Sequence, residues 1–178
     1  MPQDAPRVLV VDDDPDVALL VKTVLERRAG CVVAVASDGL AAVELLADFT
    51  PDVVVTDIEM PGLDGLELLA ALRRDDPLLP VVVMTAHVSV EYAVSALRAQ
   101  ADEVLTKPLD NVRLVEAVTR LVAEGRVRRE ANRSPEVVLA IGAHPDDVEI
   151  GVGGLLAAHA RAGDSITILT LSRGARGG

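Results

Sequence analysis

Five polar residues of this chain stand at the ends of apolar runs. Asp12 and Asp13 follow RVLVV, Asp57 ends DVVVTD, Thr85 follows VVVM, and Lys107 follows DEVLT. If these runs are parallel strands of one open sheet, their carboxyl ends share an edge and the five side chains meet there. Three carboxylates at one edge repel one another, and a hard divalent cation with oxygen ligands relieves the conflict. Mg²⁺ fits, because it accepts one or two carboxylates together with water and phosphate oxygens. Such a site can move a phosphoryl group onto a carboxylate. Metal and ammonium neutralise the oxygens of a loose transition state while a positioned Asp attacks in line. Asp57 is the candidate nucleophile. Asp12, Asp13, Asp57 and the backbone carbonyl of Glu59 are the candidate cation ligands, and Thr85 and Lys107 are placed to hold the new phosphate. An acidic loop such as DDDPD on its own reads as a solvated helix N-terminus, and Asp14 suits the N-cap before Pro15. The matching strand ends are what distinguish Asp12 and Asp13 from that reading.

A second constellation lies in IGAHPDDVEIGVGG, residues 141–154. A strand-like run stops at a histidine and two aspartates. His144 and Asp147, three residues apart in a loop stiffened by Pro145, can face one Zn²⁺. Asp146 is then left as an unligated general base for metal-bound water. Gly151, Gly153 and Gly154 permit close approach of a ligand or strand. His159, further along the same helical pattern, suits a structural role, and His87 reads as a solvated loop histidine.

The elements that must position these residues follow from periodicity. Val-rich runs at 7–12, 31–36, 52–57, 80–86 and 102–106 alternate with five helical patterns: DPDVALLVKTVLERRAG, GLAAVELLADF, DGLELLAALRRDD, VSVEYAVSALRAQ and DNVRLVEAVTRLVAEG. Central runs such as VVV lack polar alternation, as parallel strands covered on both faces do. Five βα units with right-handed crossovers predict an α/β doubly wound parallel sheet. The polar, basic stretch RVRREANRSP is a linker or an extension of the fifth helix. EVVLAIGA, a glycine-bearing helix and SITILTLS then predict a partial second βαβ unit. The expected division is 1–124, 125–135 and 136–178.

Half of the 178 residues are hydrophobic, and Phe49 and Tyr92 are the only aromatics, so the core is aliphatic. The net charge of −11 argues against a nucleic-acid surface. Residues 1–124 hold ten basic and twenty-two acidic residues, against seven and six in 125–178. A single cysteine excludes an internal disulfide and suggests a reducing compartment. With no signal-like start and no membrane-length apolar run, the expectation is a cytoplasmic protein without membrane contact.

VLVVDDDP, TDIEMPGLDGLELL, VVVMTA and LTKPL together resemble the receiver domain of bacterial two-component response regulators, over residues 6–124. The resemblance implies a flavodoxin-like (βα)5 fold and phosphorylation of Asp57 by a sensor histidine kinase. It also implies an output face on the fourth helix, fifth strand and fifth helix, where a homodimer can form. Val104 departs from the pattern, because many receivers carry an aromatic three residues before the Lys. VLAIGAHPDDVEIGVGG and TLSRGARGG resemble the opening motifs of the zinc-dependent N-acetylglucosaminyl deacetylases of the LmbE or PIG-L type, over 136–178. That resemblance implies His144 and Asp147 as zinc ligands and Asp146 as base, with Ala175 where members often carry an acid. The family's remaining zinc histidine is expected downstream of residue 178, so the segment reads as truncated. Three functions follow as expectations. The chain is a phosphoryl-accepting switch controlling a C-terminal effector, or a receiver-regulated deacetylase active only in a longer parent. As a third, it is an interaction module completed by strand exchange between copies.

Overall fold

The computed structural model of the chain describes residues 5–86, 100–144 and 146–172. The fourth helical pattern (88–100, apart from Gln100), His87, Pro145 and residues 173–178, including Ala175, lie outside the described residues. Five strands, β1 (Arg7–Val11), β2 (Val32–Ala36), β3 (Val53–Asp57), β4 (Val81–Thr85) and β5 (Glu103–Thr106), form one parallel sheet in the order β2-β1-β3-β4-β5. This is the α/β doubly wound architecture that the pattern predicts. Every residue of β3 and β4 is buried, which explains why their sequences lack polar alternation. The pairings Val11↔Thr56, Asp57↔Met84 and Thr85↔Thr106 keep the carboxyl ends of the strands level.

Helices flank the sheet, and those among the described residues are numbered in chain order. α1 (Pro15–Ala29) starts on the Asp14 side chain, which accepts from the amides of Asp16 and Val17, and stops at Gly30 in the left-handed region (φ 64°). α2 (Gly39–Leu45) is capped by Asp38, and α3 (Gly65–Asp75) by a reciprocal Asp64–Glu67 capping box. α4 spans Asn111–Asn132. Alternate strand residues face opposite layers. Val8, Val10, Val55 and Met84 pack with Val21 and Leu25 of α1 and Val118 and Leu121 of α4. Leu9, Val11, Val54 and Val83 pack with Ala42 of α2 and Leu68, Leu69 and Leu72 of α3.

The chain divides into two compact units, Met1–Ala131 and Asn132–Gly178. The second holds β6 (Val137–Gly142), α5 (Asp147–Arg161) and β7 (Ser165–Thr170), with β6 and β7 paired in parallel. Ala140, Val148 and Leu156 form its small core, while Val137, Leu139 and Ile141 on the other face of β6 are exposed. No helix among the described residues is long and apolar enough to cross a membrane.

Gly125 does not end the last helix of the first unit. α4 runs through it to Asn132, because a glycine is what lets the helix pass close to the amino-terminal edge of the sheet. A Cβ at this position would stand 2.8 Å from Pro80 Cγ. Beyond it, Arg126 pairs with Asp52 (3.2 Å), Arg128 with Asp102 (3.3 Å) and Arg129 with Asp76 (2.6 Å). Each of these partly exposed pairs contributes little alone, and the glycine contact sets the approach. An alanine inside a helix normally stabilises by about 1 kcal/mol relative to glycine, whereas overpacking costs roughly 1–3 kcal/mol. Gly125→Ala is therefore expected to lower the midpoint of urea unfolding. An increase would show that the contact is slack.

Candidate functional site

The chain crosses from β2 at one edge, over β1, to β3, so the strand order reverses between β1 and β3. The carboxyl ends of those two strands border the crevice where open α/β sheets collect functional groups. Asp12 and Asp13 follow β1, Asp57 closes β3, Thr85 closes β4, and Lys107 follows β5. The fold brings most of these together. Carboxylate oxygens of Asp12, Asp13 and Asp57 lie within 4.8 Å of one another. The Lys107 ammonium donates to Asp57 Oδ2 at 2.6 Å and to Asp12 Oδ2 at 2.9 Å. Asp12, Asp57 and Thr85 are buried, while Asp13 is exposed. Thr85 contributes its carbonyl to the amide of Lys107 at 2.7 Å, joining the ends of β4 and β5 behind the lysine. Glu59 is exposed in the loop after β3.

Local hydrogen bonds fix the two buried carboxylates. Asp12 Oδ1 accepts from the amide of Asp14 at 3.0 Å, and Asp57 Oδ1 accepts from the amide of Ile58 at 2.7 Å. Burial pushes the Asp12 carboxyl above its ordinary value, against the pull of Lys107 and the Asp14 amide. Burial also works against the charge of Lys107, but hydrogen bonds to Asp57 and Asp12 outweigh it and raise the lysine above its ordinary value. Three carboxylates thus face one ammonium. Their oxygen-only donor set suits a hard divalent cation such as Mg²⁺.

The second constellation is looser. Asp147 Oδ2 lies 3.7 Å from His144 Nδ1 and accepts from the His144 amide at 2.9 Å. Asp146 stands at the start of α5 with no side-chain capping bond. Among the described residues, no third metal-binding side chain gathers with His144 and Asp147. Two donors are one short of the three protein ligands that a catalytic zinc centre uses, as expected if the remaining histidine lies downstream. No strand among the described residues approaches Gly151, Gly153 or Gly154, where a Cβ would meet nothing within 4 Å. The spacing in the sequence did not signal a different cluster, Glu136, His159 and Asp164. There Asp164 accepts from His159 Nδ1 (2.6 Å), Arg133 (2.9 Å) and the Glu136 amide (2.8 Å), tying together the starts of β6 and β7. The Glu136 amide first, then Arg133 and His159, hold the Asp164 carboxyl down to about 2. With Arg133 bonded to both acids, the cluster is a closed ion-pair network, in keeping with the structural role expected of His159.

Comparison with known proteins supports both halves of the sequence reading. Residues 8–119 match the family model of the response regulator receiver domain, and residues 139–178 match part of the GlcNAc-PI de-N-acetylase model. The DNA-binding transcriptional regulator NtrC of Escherichia coli is 42% identical over 119 residues, covering 65% of this chain and 24% of NtrC. The transcriptional regulatory protein PrrA of Mycobacterium tuberculosis is 41% identical over 146 residues, covering 82% of this chain and 60% of PrrA. The chain therefore spans from a quarter to three fifths of these relatives. A solved Francisella response regulator 1452 receiver domain is 38% identical, with a TM-score of 0.63, over 67% of this chain and 98% of that one.

The raised Asp12 carboxyl implies that the folded state disfavours its charge. Asp12→Asn is expected to raise the melting midpoint in EDTA at neutral pH, because the variant no longer buries that charge. The folded state of the wild type binds this proton more readily than the unfolded state. Its stability relative to the variant therefore recovers as pH falls through the raised value, and the variant's advantage is gone below 3.8, the ordinary value. The lowered Asp38 and Asp164 carboxyls act in the opposite sense, losing their contribution only below 3.8. Melting curves of both proteins across that range check the sign, and an advantage independent of pH would contradict it.

Proposed function

The chain belongs to the response regulator receiver family through residues 8–119, and from that premise we propose that it accepts a phosphoryl group on Asp57 from a sensor histidine kinase. The observation that carries this reading is the lysine bridge, Lys107 Nζ at 2.6 Å from Asp57 and 2.9 Å from Asp12. It keeps a positive charge beside the oxygen that has to attack. In the transfer, an Asp57 carboxylate oxygen bonds to phosphorus as the bond from phosphorus to the donor's imidazole nitrogen breaks. The leaving nitrogen takes a proton from solvent, and Asp57 becomes an acyl phosphate.

Asp12, Asp13, Asp57 and the Glu59 carbonyl would hold Mg²⁺, which neutralises negative charge on the phosphoryl oxygens. The chain's own groups do the rest. The Ile58 amide orients the carboxylate through Oδ1. Lys107 follows the charge from carboxylate to phosphate, and the Thr85 hydroxyl, at the end of the neighbouring strand, donates to the new phosphate. Among the relatives, NtrC and PrrA are named as transcriptional regulators. In this chain the receiver is instead followed by the segment matching the de-N-acetylase model, and we assign it the controlled, effector side. There His144 and Asp147 would be two of the three protein ligands that a catalytic zinc centre uses.

Incubation with phosphoramidate and Mg²⁺ is expected to add one phosphoryl mass to the intact protein, in acid-labile form. Asp57→Asn is expected to take up none, and EDTA to slow the wild type by at least an order of magnitude, since charge stabilisation dominates phosphoryl transfer. Intact-mass spectrometry over time reads all three. Equal labelling of Asp57→Asn would move the acceptor elsewhere.

A further inference from the structure

We propose that Gly65 and Gly39 are positioning residues for Asp57, acting together through the loop of residues 58–64. The inference rests on the reading of Asp57 as phosphoryl acceptor and adds which distant residues set its geometry. Gly65 is the first residue of α3, and Gly39 is the first residue of α2. Neither is among the residues with positive φ, which in this loop is Gly62 (φ 80°). What Gly65 and Gly39 supply is therefore the absence of a Cβ rather than conformational freedom.

At Gly65 a Cβ would stand 1.9 Å from the carbonyl oxygen of Asp57, 2.8 Å from its carbonyl carbon and 2.9 Å from Ile58 Cα. All three are backbone atoms, so no side-chain rotation relieves the clash. At Gly39 a Cβ would stand 2.6 Å from the carbonyl oxygen of Leu63 and 2.8 Å from Leu63 Cβ. The loop that leaves Asp57 is thus gripped by α3 at one end and by α2 near the other.

A short hydrogen-bond chain carries this grip to the carboxylate. The Gly65 amide donates to Ile58 O at 3.0 Å, and the Ile58 amide donates to Asp57 Oδ1 at 2.7 Å. From the strand side, Thr56 Oγ1 donates to Asp57 O at 2.9 Å. The Ile58 amide is shared between Asp57 Oδ1 and the Met84 carbonyl of β4 (3.0 Å) while its own carbonyl is held by Gly65, so displacing the start of α3 shifts that balance and with it the amide that aims the carboxylate. In-line attack tolerates little of that, since a shift of about 1 Å in a reacting group can cost on the order of a hundredfold in rate.

The test compares wild type, Gly65→Ala, Gly39→Ala and a control, Val118→Ala, which removes buried volume in the layer of α1 and α4. Two quantities are read on the full chain: the rate of labelling by phosphoramidate with saturating Mg²⁺, and hydrogen exchange of the Ile58 amide by NMR. Both glycine variants are expected to label at least about tenfold more slowly and to exchange the Ile58 amide at least about tenfold faster. The control, also lowered in melting midpoint, is expected to stay within about twofold of wild type on both. Glycine variants that unfold cooperatively and match wild type on both readouts would overturn the proposal. Where Gly65→Ala gives no cooperative transition, Gly39→Ala decides. An unlabelled wild type would refute the acceptor reading instead, and Ile58 exchange would then settle the glycine grip by itself.

Discussion

One ammonium shared between two buried carboxylates is the interaction on which the rest of this structure turns. Lys107 reaches Asp57 and Asp12 from the far side of β4, and it does so only because five parallel strands end level at one edge. Remove the lysine, and two acids face each other in a water-poor crevice, with Asp13 adding a third charge. The doubly wound order supplies the crevice, the Val-rich strands supply the low-dielectric wall, and the loop amides of Asp14 and Ile58 supply fixed dipoles. Burial strengthens all of these electrostatic terms and also makes an unpaired charge costly. The site is therefore held in balance, with three acids against one base. Such a balance responds strongly to an added cation or to a phosphoryl group.

Much of this was legible in the sequence because it obeys local rules. The five strands announce themselves as aliphatic runs, and Asp12, Asp13, Asp57, Thr85 and Lys107 each follow from the end of a run. Asp14 and Pro15 announce the start of α1, and Gly30 its stop. What stayed hidden depends on close approach between segments distant in the chain. The stretch after Gly125 reads equally as a linker or a helix extension, and the helix does continue to Asn132, with Gly125 packed against Pro80. Gly65 lies against the carbonyl of Asp57 and Leu63 sits upon Gly39, contacts that nothing in either glycine's own neighbourhood indicates. Periodicity and propensity describe a chain's own neighbourhood. They carry no information about which backbone will lie against a missing side chain.

The second unit illustrates the same limit from the other side. Its βαβ pattern was readable, and its helix covers one face of β6 and β7 through Ala140, Val148 and Leu156. Its most connected charged group is Asp164, which gathers His159, Arg133 and the Glu136 amide. The sequence points instead to the HPDD loop, where His144 and Asp147 approach each other within one turn. The two units differ in how they build chemistry. The first draws its acids and lysine from three strand ends across one sheet, whereas among the described residues of the second His144 and Asp147 come from a single loop.

The most direct test of the central claim is a crystal structure of the chain grown with Mg²⁺ and beryllium fluoride. The account predicts beryllium bonded to an Asp57 carboxylate oxygen, Mg²⁺ against Asp12 and Asp13, and the Lys107 ammonium in contact with fluorine. Density for the fluoride complex away from Asp57, or a lysine still bridging Asp12 and Asp57 at saturating concentrations of both ions, would contradict it.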